Sequence, residues 1–298
     1  MAFKTPAEIT VAGTAAGITK AGTSWDRLLV GGFLGGAYIA FASLLAVVAS
    51  AGLNPKTGAI TLVTGAAFSL GLILVIIAGS ELLTGNMALI PLAALQRRVG
   101  LGALSRNFGL VLIGNALGSL FVAYVLAVKT GVITAPVDLA RLAAIATAKG
   151  ETETTLQIFL RAVGCNWLVC LAVWMAMAAD DIGGKVLAIF FPITAFVAMG
   201  FDHVVANMFF LPAAVFANVP GIGWGDVLHN LVFAFFGNLV GAAVFVSGAY
   251  YWLFGREEAE TAGAVAGDGH AGADGDARAG NGRAAAGSQR REEPITRG

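Results

Sequence analysis

The chain has little charge, almost no cysteine and no excess of either sign. Of its 298 residues only 12% are Asp, Glu, Lys or Arg, about half the share of a soluble domain, which excludes an ordinary globule kept in water by its surface. Lys and Arg together number 18, as do Asp and Glu, so no basic field recommends nucleic acid as a partner. Cys165 and Cys170 stand five apart inside one apolar stretch. That placement suits neither a disulfide nor a metal site and reads as two small buried residues. The N-terminus carries Glu8 and lacks a compact apolar run, which argues against a signal peptide.

What the chain has in quantity is apolar: 57% of residues are hydrophobic and the mean hydropathy is +0.81. The runs 28–52, 59–79, 107–128, 156–179, 185–201 and 227–254 each have the composition of a spanning helix. Two shorter pieces, 87–96 and 208–219, follow the second and fifth runs after a polar interruption. They read as the second halves of broken helices. The expectation is an all-α membrane protein with six transmembrane helices, helices 2 and 5 broken. Lys4, Lys20, Arg27, Arg97, Arg98, Arg106, Lys185 and Arg256 gather on one side, against Lys56, Lys129, Arg141 and Lys149 on the other. That bias places both termini in the cytoplasm.

Thr5-Pro6-Ala7-Glu8 reads as a helix start, a hydroxyl cap with Pro in the first turn and Glu three residues on. Residues 1–24 are expected to hold a cytoplasmic amphipathic helix, over 6–20. Residues 25–255 form the six-helix membrane domain. The tail, 256–298, carries 6 Arg and 8 acidic residues with few large apolar ones, a composition that predicts disorder.

An internal repeat divides the membrane domain. Glu81-x4-Asn86-Met87-x3-Pro91 returns as Asp202-x4-Asn207-Met208-x3-Pro212, 121 residues later. Asn107-x7-Asn115-x2-Gly118 returns as Asn230-x7-Asn238-x2-Gly241, 123 residues later. Two copies of a three-span unit (25–131 and 155–254) must point in opposite directions through a bilayer, the inverted-repeat plan of many transporters and channels. The breaks are expected at Ser80 to Asn86 and Gly200 to Asn207, where non-helical backbone must be buried or line a cavity. Glu81 and Asp202 form a symmetric pair there. They read as structural carboxylates capping the N–H groups of the half-helices that follow, with a functional role as the alternative. His203 has no such twin, since Leu82 takes its place in the first copy. An unpaired imidazole at a mid-membrane break reads as functional, the alternative being a buried histidine bonded to a carbonyl.

Three stretches carry a resemblance: Gly71-Leu72-Ile73-Leu74 through Glu81-Leu82-Leu83-Thr84-Gly85-Asn86, then Cys165-Asn166-Trp167-Leu168-Val169-Cys170-Leu171-Ala172-Val173-Trp174, then Gly200-Phe201-Asp202-His203-Val204-Val205-Ala206-Asn207-Met208-Phe209. From about Pro6 to Trp252 the chain resembles the formate/nitrite transporter family. The resemblance implies an aquaporin-like fold and a homopentamer with one pore per protomer in the plasma (cytoplasmic) membrane. It implies small monovalent anions of weak acids, formate or nitrite foremost, as substrate, with no cofactor, no metal and no enzymatic reaction. His203 is similar to the family's central pore histidine, faced by Thr84 from the loop at the first break. Asn166 resembles an assisting polar side chain near the pore, and Asn207 a support of the His203 turn. Phe68 with Leu72, and Phe196, resemble the apolar constrictions on either side of that site. The family's vestibule lysine precedes the asparagine by sixteen residues. Gly150 holds that place here and Lys149 stands one earlier, so assigning Lys149 implies a one-residue insertion.

Magnitudes favour a proton-linked route. A bare anion in a dry apolar ring costs tens of kcal/mol in the idealised limit, whereas protonating an acid of pKa about 4 at pH 7 costs roughly 4 kcal/mol. His203 would donate a hydrogen bond to the solute or transiently carry the proton. An aquaporin-like channel for a small neutral solute is the alternative, but its Asn-Pro-Ala signatures are absent: Met87 and Met208 follow the two asparagines. An enzyme would need a nucleophile, metal or acid–base set, and His203 lacks a second His or Cys ligand beside it.

Overall fold

A chain this apolar must satisfy its own backbone polar groups, and a computed structural model, which describes residues 3–256, does so almost wholly with helices. Helix α1 (Pro6–Gly22) begins as its first residues predict: Thr5 accepts from the Glu8 amide and Glu8 Oε2 accepts from the Thr5 amide at 2.7 Å. Among the described residues, five helices are long and apolar enough to cross a membrane: α2 (Trp25–Ser50), α3 (Ala59–Gly79), α5 (Leu101–Lys129), α7 (Thr155–Ala178) and α10 (Trp224–Gly255). The sixth expected span differs. Helix α8 (Ile182–Ala198) has 17 residues, about 26 Å at 1.5 Å per residue, against a hydrocarbon core of about 30 Å. It lies three residues earlier than the apolar run suggests. Asp181 starts it by accepting from the Gly184 amide at 2.8 Å, and a left-handed Gly200 (φ +72°) stands just beyond its end.

Two short helices, α4 (Leu83–Leu95) and α9 (Val204–Phe216), follow α3 and α8 and contain Pro91 and Pro212. The gaps before them are shorter than expected, only Ser80–Leu82 and Phe201–His203. Each follows a glycine with positive φ, Gly79 (+84°) and Gly200 (+72°), a conformation that costs other residues strain. Helix α6 (Pro136–Thr147), with Pro136 at its start and Asp138 in its first turn, is a feature the apolar pattern did not predict.

The helices meet in matched pairs, α2 on α5 and α7 on α10. A Cβ on Gly118 would lie 2.0 Å from the Phe33 carbonyl oxygen, and one on Gly241 2.3 Å from that of Val163. The backbones touch there, the small-residue packing that replaces the hydrophobic effect between helices in lipid. Outward faces keep Trp25, Val30, Leu62, Leu117 and Phe236 exposed, an apolar exterior that suits a bilayer or a neighbouring protomer. The expected disorder of the tail concerns residues 257–298, outside the described residues.

Candidate functional site

Each short helix is anchored by the same set of polar side chains. At the first break Lys20 Nζ donates to both oxygens of Glu81 at 2.9 Å. Asn86 Nδ2 donates to Glu81 Oε2 (2.8 Å) and Asn107 Oδ1 (2.9 Å), and Asn107 Nδ2 returns to the Lys20 carbonyl at 2.9 Å. At the second, Lys149 Nζ donates to Asp202 Oδ1 at 2.7 Å. Asn207 Nδ2 donates to Asp202 Oδ1 (2.8 Å) and Asn230 Oδ1 (2.7 Å), and Asn230 Nδ2 returns to the Lys149 carbonyl at 3.1 Å.

Glu81 and Asp202 therefore do not cap the half-helix amides. Asparagines from distant helices do: Asn115 Oδ1 accepts from the Leu83 amide at 3.0 Å and Asn238 Oδ1 from the Val204 amide at 2.8 Å. The two carboxylates instead receive lysine and asparagine donors, which is how charges survive burial. Because the first amide of each helix is met from outside, each helix resumes early, and Thr84, Asn86 and Asn207 sit in first turns rather than in loops.

Where the two halves meet, the symmetry ends. His203, 2% exposed, accepts from the Ala206 amide through Nδ1 at 3.1 Å. A neutral ring whose Nδ1 accepts carries its proton on Nε2, and Nε2 lies 2.9 Å from Thr84 Oγ1. Thr84 accepts that bond, so its own hydroxyl proton faces elsewhere. Asn166 Nδ2 holds the Thr84 carbonyl at 3.2 Å and the Asn238 carbonyl at 2.8 Å, and the Cys170 thiol adds a contact to the same Thr84 oxygen at 3.4 Å. Cys165 and Cys170 are both buried and free.

The Phe196 ring stacks over the imidazole with centroids 6.0 Å apart, and Phe68 meets Phe196 edge-on at 5.8 Å. Phe68 and Phe196 thus close one side of the site together, not opposite sides as the resemblance implied. Leu72, one turn further along α3, is buried away from their cavity.

That cavity, about 310 Å³, runs from His203 and Asn207 past Phe68 and Phe196 to Lys149, Arg141, Glu153 and Arg161. Lys149 lies in a π-helical turn, Ala148–Thr152. Such a turn takes one residue more per hydrogen-bonded loop than an α turn, which accommodates the one-residue displacement noted in the sequence. Arg141 is braced by Ser50 Oγ at 2.8 Å and Thr64 Oγ1 at 3.0 Å, and Arg161 pairs with Glu153. Burial, with help from an Asp202 hydrogen bond, pushes the Glu153 carboxyl up to about 7 against the pull of Lys149 and Arg161. Lys20, Arg141, Glu153 and Arg161 were not singled out from sequence. The spacing that could have found them is three-dimensional, except that Lys20 could have been matched to Lys149 as a lysine preceding each repeat.

Spanning apolar helices around a buried imidazole and a cavity lined by cations define a multi-pass membrane protein of the transporter and channel class. The chain belongs to the formate/nitrite transporter family, whose sequence profile matches residues 7–252. It is 43% identical over 272 residues to a probable formate transporter of Methanothermobacter thermautotrophicus, covering 86% of this chain and 98% of that one. Its fold matches a channel described as an FNT family ion channel with a TM-score of 0.77 and 32% identity, over 83% of this chain and 98% of that one. It also matches a pentameric formate channel with formate bound, with a TM-score of 0.68 and 31% identity, over 77% and 96%.

Proposed function

We propose that the protein carries small monovalent anions of weak acids, formate or nitrite, across the plasma (cytoplasmic) membrane in a proton-linked manner. It does so as a homopentamer of six-span protomers, each built from two inverted repeats with both termini in the cytoplasm. The observation that carries this reading is the bond between His203 Nε2 and Thr84 Oγ1 at the inner end of a cavity that also holds Lys149, Arg141 and Arg161. Cations in a confined cavity raise the local concentration of an anion. They favour an anion over the neutral solute of an aquaporin-like channel.

In this mechanism the anion gathers beside Lys149, Arg161 and Arg141 and passes the edge-to-face pair Phe68 and Phe196. There water is scarce and a bare charge is costly. It takes a proton from the acidic side of the membrane, meets the hydroxyl of Thr84, whose oxygen the Nε2–H of His203 holds, and crosses the apolar part as the neutral acid, with Leu72 as the barrier beyond. Asn166 and Asn207 hold Thr84 and the His203 turn in register. Glu81, Asn86 and Asp202 keep the two short helices seated and do not meet the solute.

Uptake of isotopically labelled formate and nitrite into proteoliposomes with an imposed pH gradient tests this. At least one anion should enter, faster when the donor side is acidic, while glycerol should not. Glycerol permeation with no uptake of either anion would overturn the reading.

A further inference from the structure

Glu153 has no task in that mechanism, yet it stands on the cavity wall between the π turn of Lys149 and helix α7, outside the apolar spans. Its Oε1 accepts from Arg161. Its Oε2 is buried and has no donor among the described residues, and the same holds for Oδ2 of Asp202. Asp202 pairs with Lys149 of the π turn that Glu153 closes, so the two orphaned oxygens belong to one buried polar cluster. Two carboxylates offer only acceptors, so neither orphaned oxygen can find a donor in the other group unless one of them carries a proton, and like charges in one buried cluster disfavour ionising both.

We propose that Glu153 and Asp202 hold one proton between them at the mouth of the cavity, and that its loss to solvent weakens anion binding there. The inference rests on the small-anion reading given above. The charged groups facing Glu153 are Lys149 from the π turn, Asp202 from the break before α9 and Arg161 from α7, with Arg141 of α6 on the same cavity. Glu151 turns away against Gly221. With the proton on Glu153, Lys149 is balanced by Asp202 while Arg161 remains an uncompensated cation. When Glu153 releases the proton to water, its carboxylate offsets Arg161 and the mouth loses one unit of positive charge. Glu153 is held at about 7, so the proton is present below neutral pH and lost as pH rises through it. The mouth therefore binds an anion more strongly on its acidic side of neutrality, with His203 unchanged.

The test compares formate KM in proteoliposomes for the wild type and Glu153→Gln, with pH varied on the Glu153 side to either side of 7. The changing fraction of neutral formic acid is the same for both proteins, so the ratio of their KM values isolates the residue. The ratio should be near one below neutral pH. Above it the wild-type KM should be roughly threefold the variant's, as one unit charge acting over about 10 Å at an effective dielectric constant of about 20 requires once salt screening is included. A ratio that stays constant across pH while the wild type transports formate overturns the proposal and spares the functional reading. Absence of wild-type transport overturns both. Should Glu153→Gln fail to assemble, Glu153→Asp withdraws the carboxyl by one methylene, and the wild-type KM transition should move to lower pH. An unmoved transition overturns the proposal equally.

Discussion

At the first helix break Leu82 and Thr84 occupy the places that His203 and Val205 take at the second, on a backbone that barely differs. Leu82 has φ −115° and ψ 121°, and His203 has φ −110° and ψ 114°. The glycine before each break, the lysine–carboxylate pair, the two asparagines and the amide-capping asparagine all recur. What recurs is what a buried interruption between apolar helices needs: satisfied amides and paired charges. What does not recur is the pair that meets between the halves. One half supplies an imidazole and the other a hydroxyl, so a symmetric scaffold presents an asymmetric site at its junction.

The largest expected effect tests the shared scaffold. The Lys149 side chain is 12% exposed and Asp202 not at all, whereas Lys20 and Glu81 are 23% and 16% exposed. Lys149→Met strands a buried carboxylate, a loss of about 3–5 kcal/mol. Lys20→Met strands one that water reaches, and its cost should be well under half of that. Thermal unfolding of the two variants in detergent should show a clearly lower Tm for Lys149→Met, partly restored by adding Asp202→Asn. Equal losses would mean that the two anchors are not the graded pair their burial describes.

The next test removes the asymmetry itself. His203→Leu gives the second break the residue of the first. It should leave the oligomer intact on gel filtration while lowering formate or nitrite uptake by about a hundredfold, the equivalent of roughly 3 kcal/mol for a hydrogen bond to a charged group. His203→Asn retains a side chain that can still accept from the Ala206 amide and meet Thr84, so uptake should survive at a reduced rate, well above that of His203→Leu. A wild-type rate in both variants would reduce His203 to a structural cap for the Ala206 amide.

Much of this was legible because it is local. Asn86-Met87 with Pro91, and Asn207-Met208 with Pro212, fit within single helical stretches, so the repeat and both breaks stand out in one dimension. The start of α1 was legible for the same reason, since Thr5 and Glu8 serve each other. The length of the breaks was not. Asn115 and Asn238 cap amides 32 and 34 residues away, and a helix capped from elsewhere starts sooner than its own residues suggest. Lys20 escaped for a related reason: it reaches Glu81 from α1, whereas Lys149 reaches Asp202 from a π turn ahead of α7, so the two lysines share no offset with the rest of the repeat. The side-by-side placement of Phe68 and Phe196 depends on how α3 lies against α8, which no spacing along the chain encodes.

The smallest effect comes from giving the first break the residue of the second. Thr84→Val copies Val205, keeps the shape and removes the oxygen that accepts from His203 Nε2 at 2.9 Å. A neutral hydrogen bond is worth about 1 kcal/mol, so uptake should fall roughly fivefold while assembly holds. Thr84→Ser restores the hydroxyl on the same helical turn and should transport at close to the wild-type rate. The pH dependence should be unchanged in both, because every titrating group remains. A Thr84→Ser variant as impaired as Thr84→Val would show that the methyl group, not the hydroxyl, is what the site requires. The tautomer that places the ring proton on Nε2 would then have no partner in the opposite half, and the two breaks would meet through packing alone.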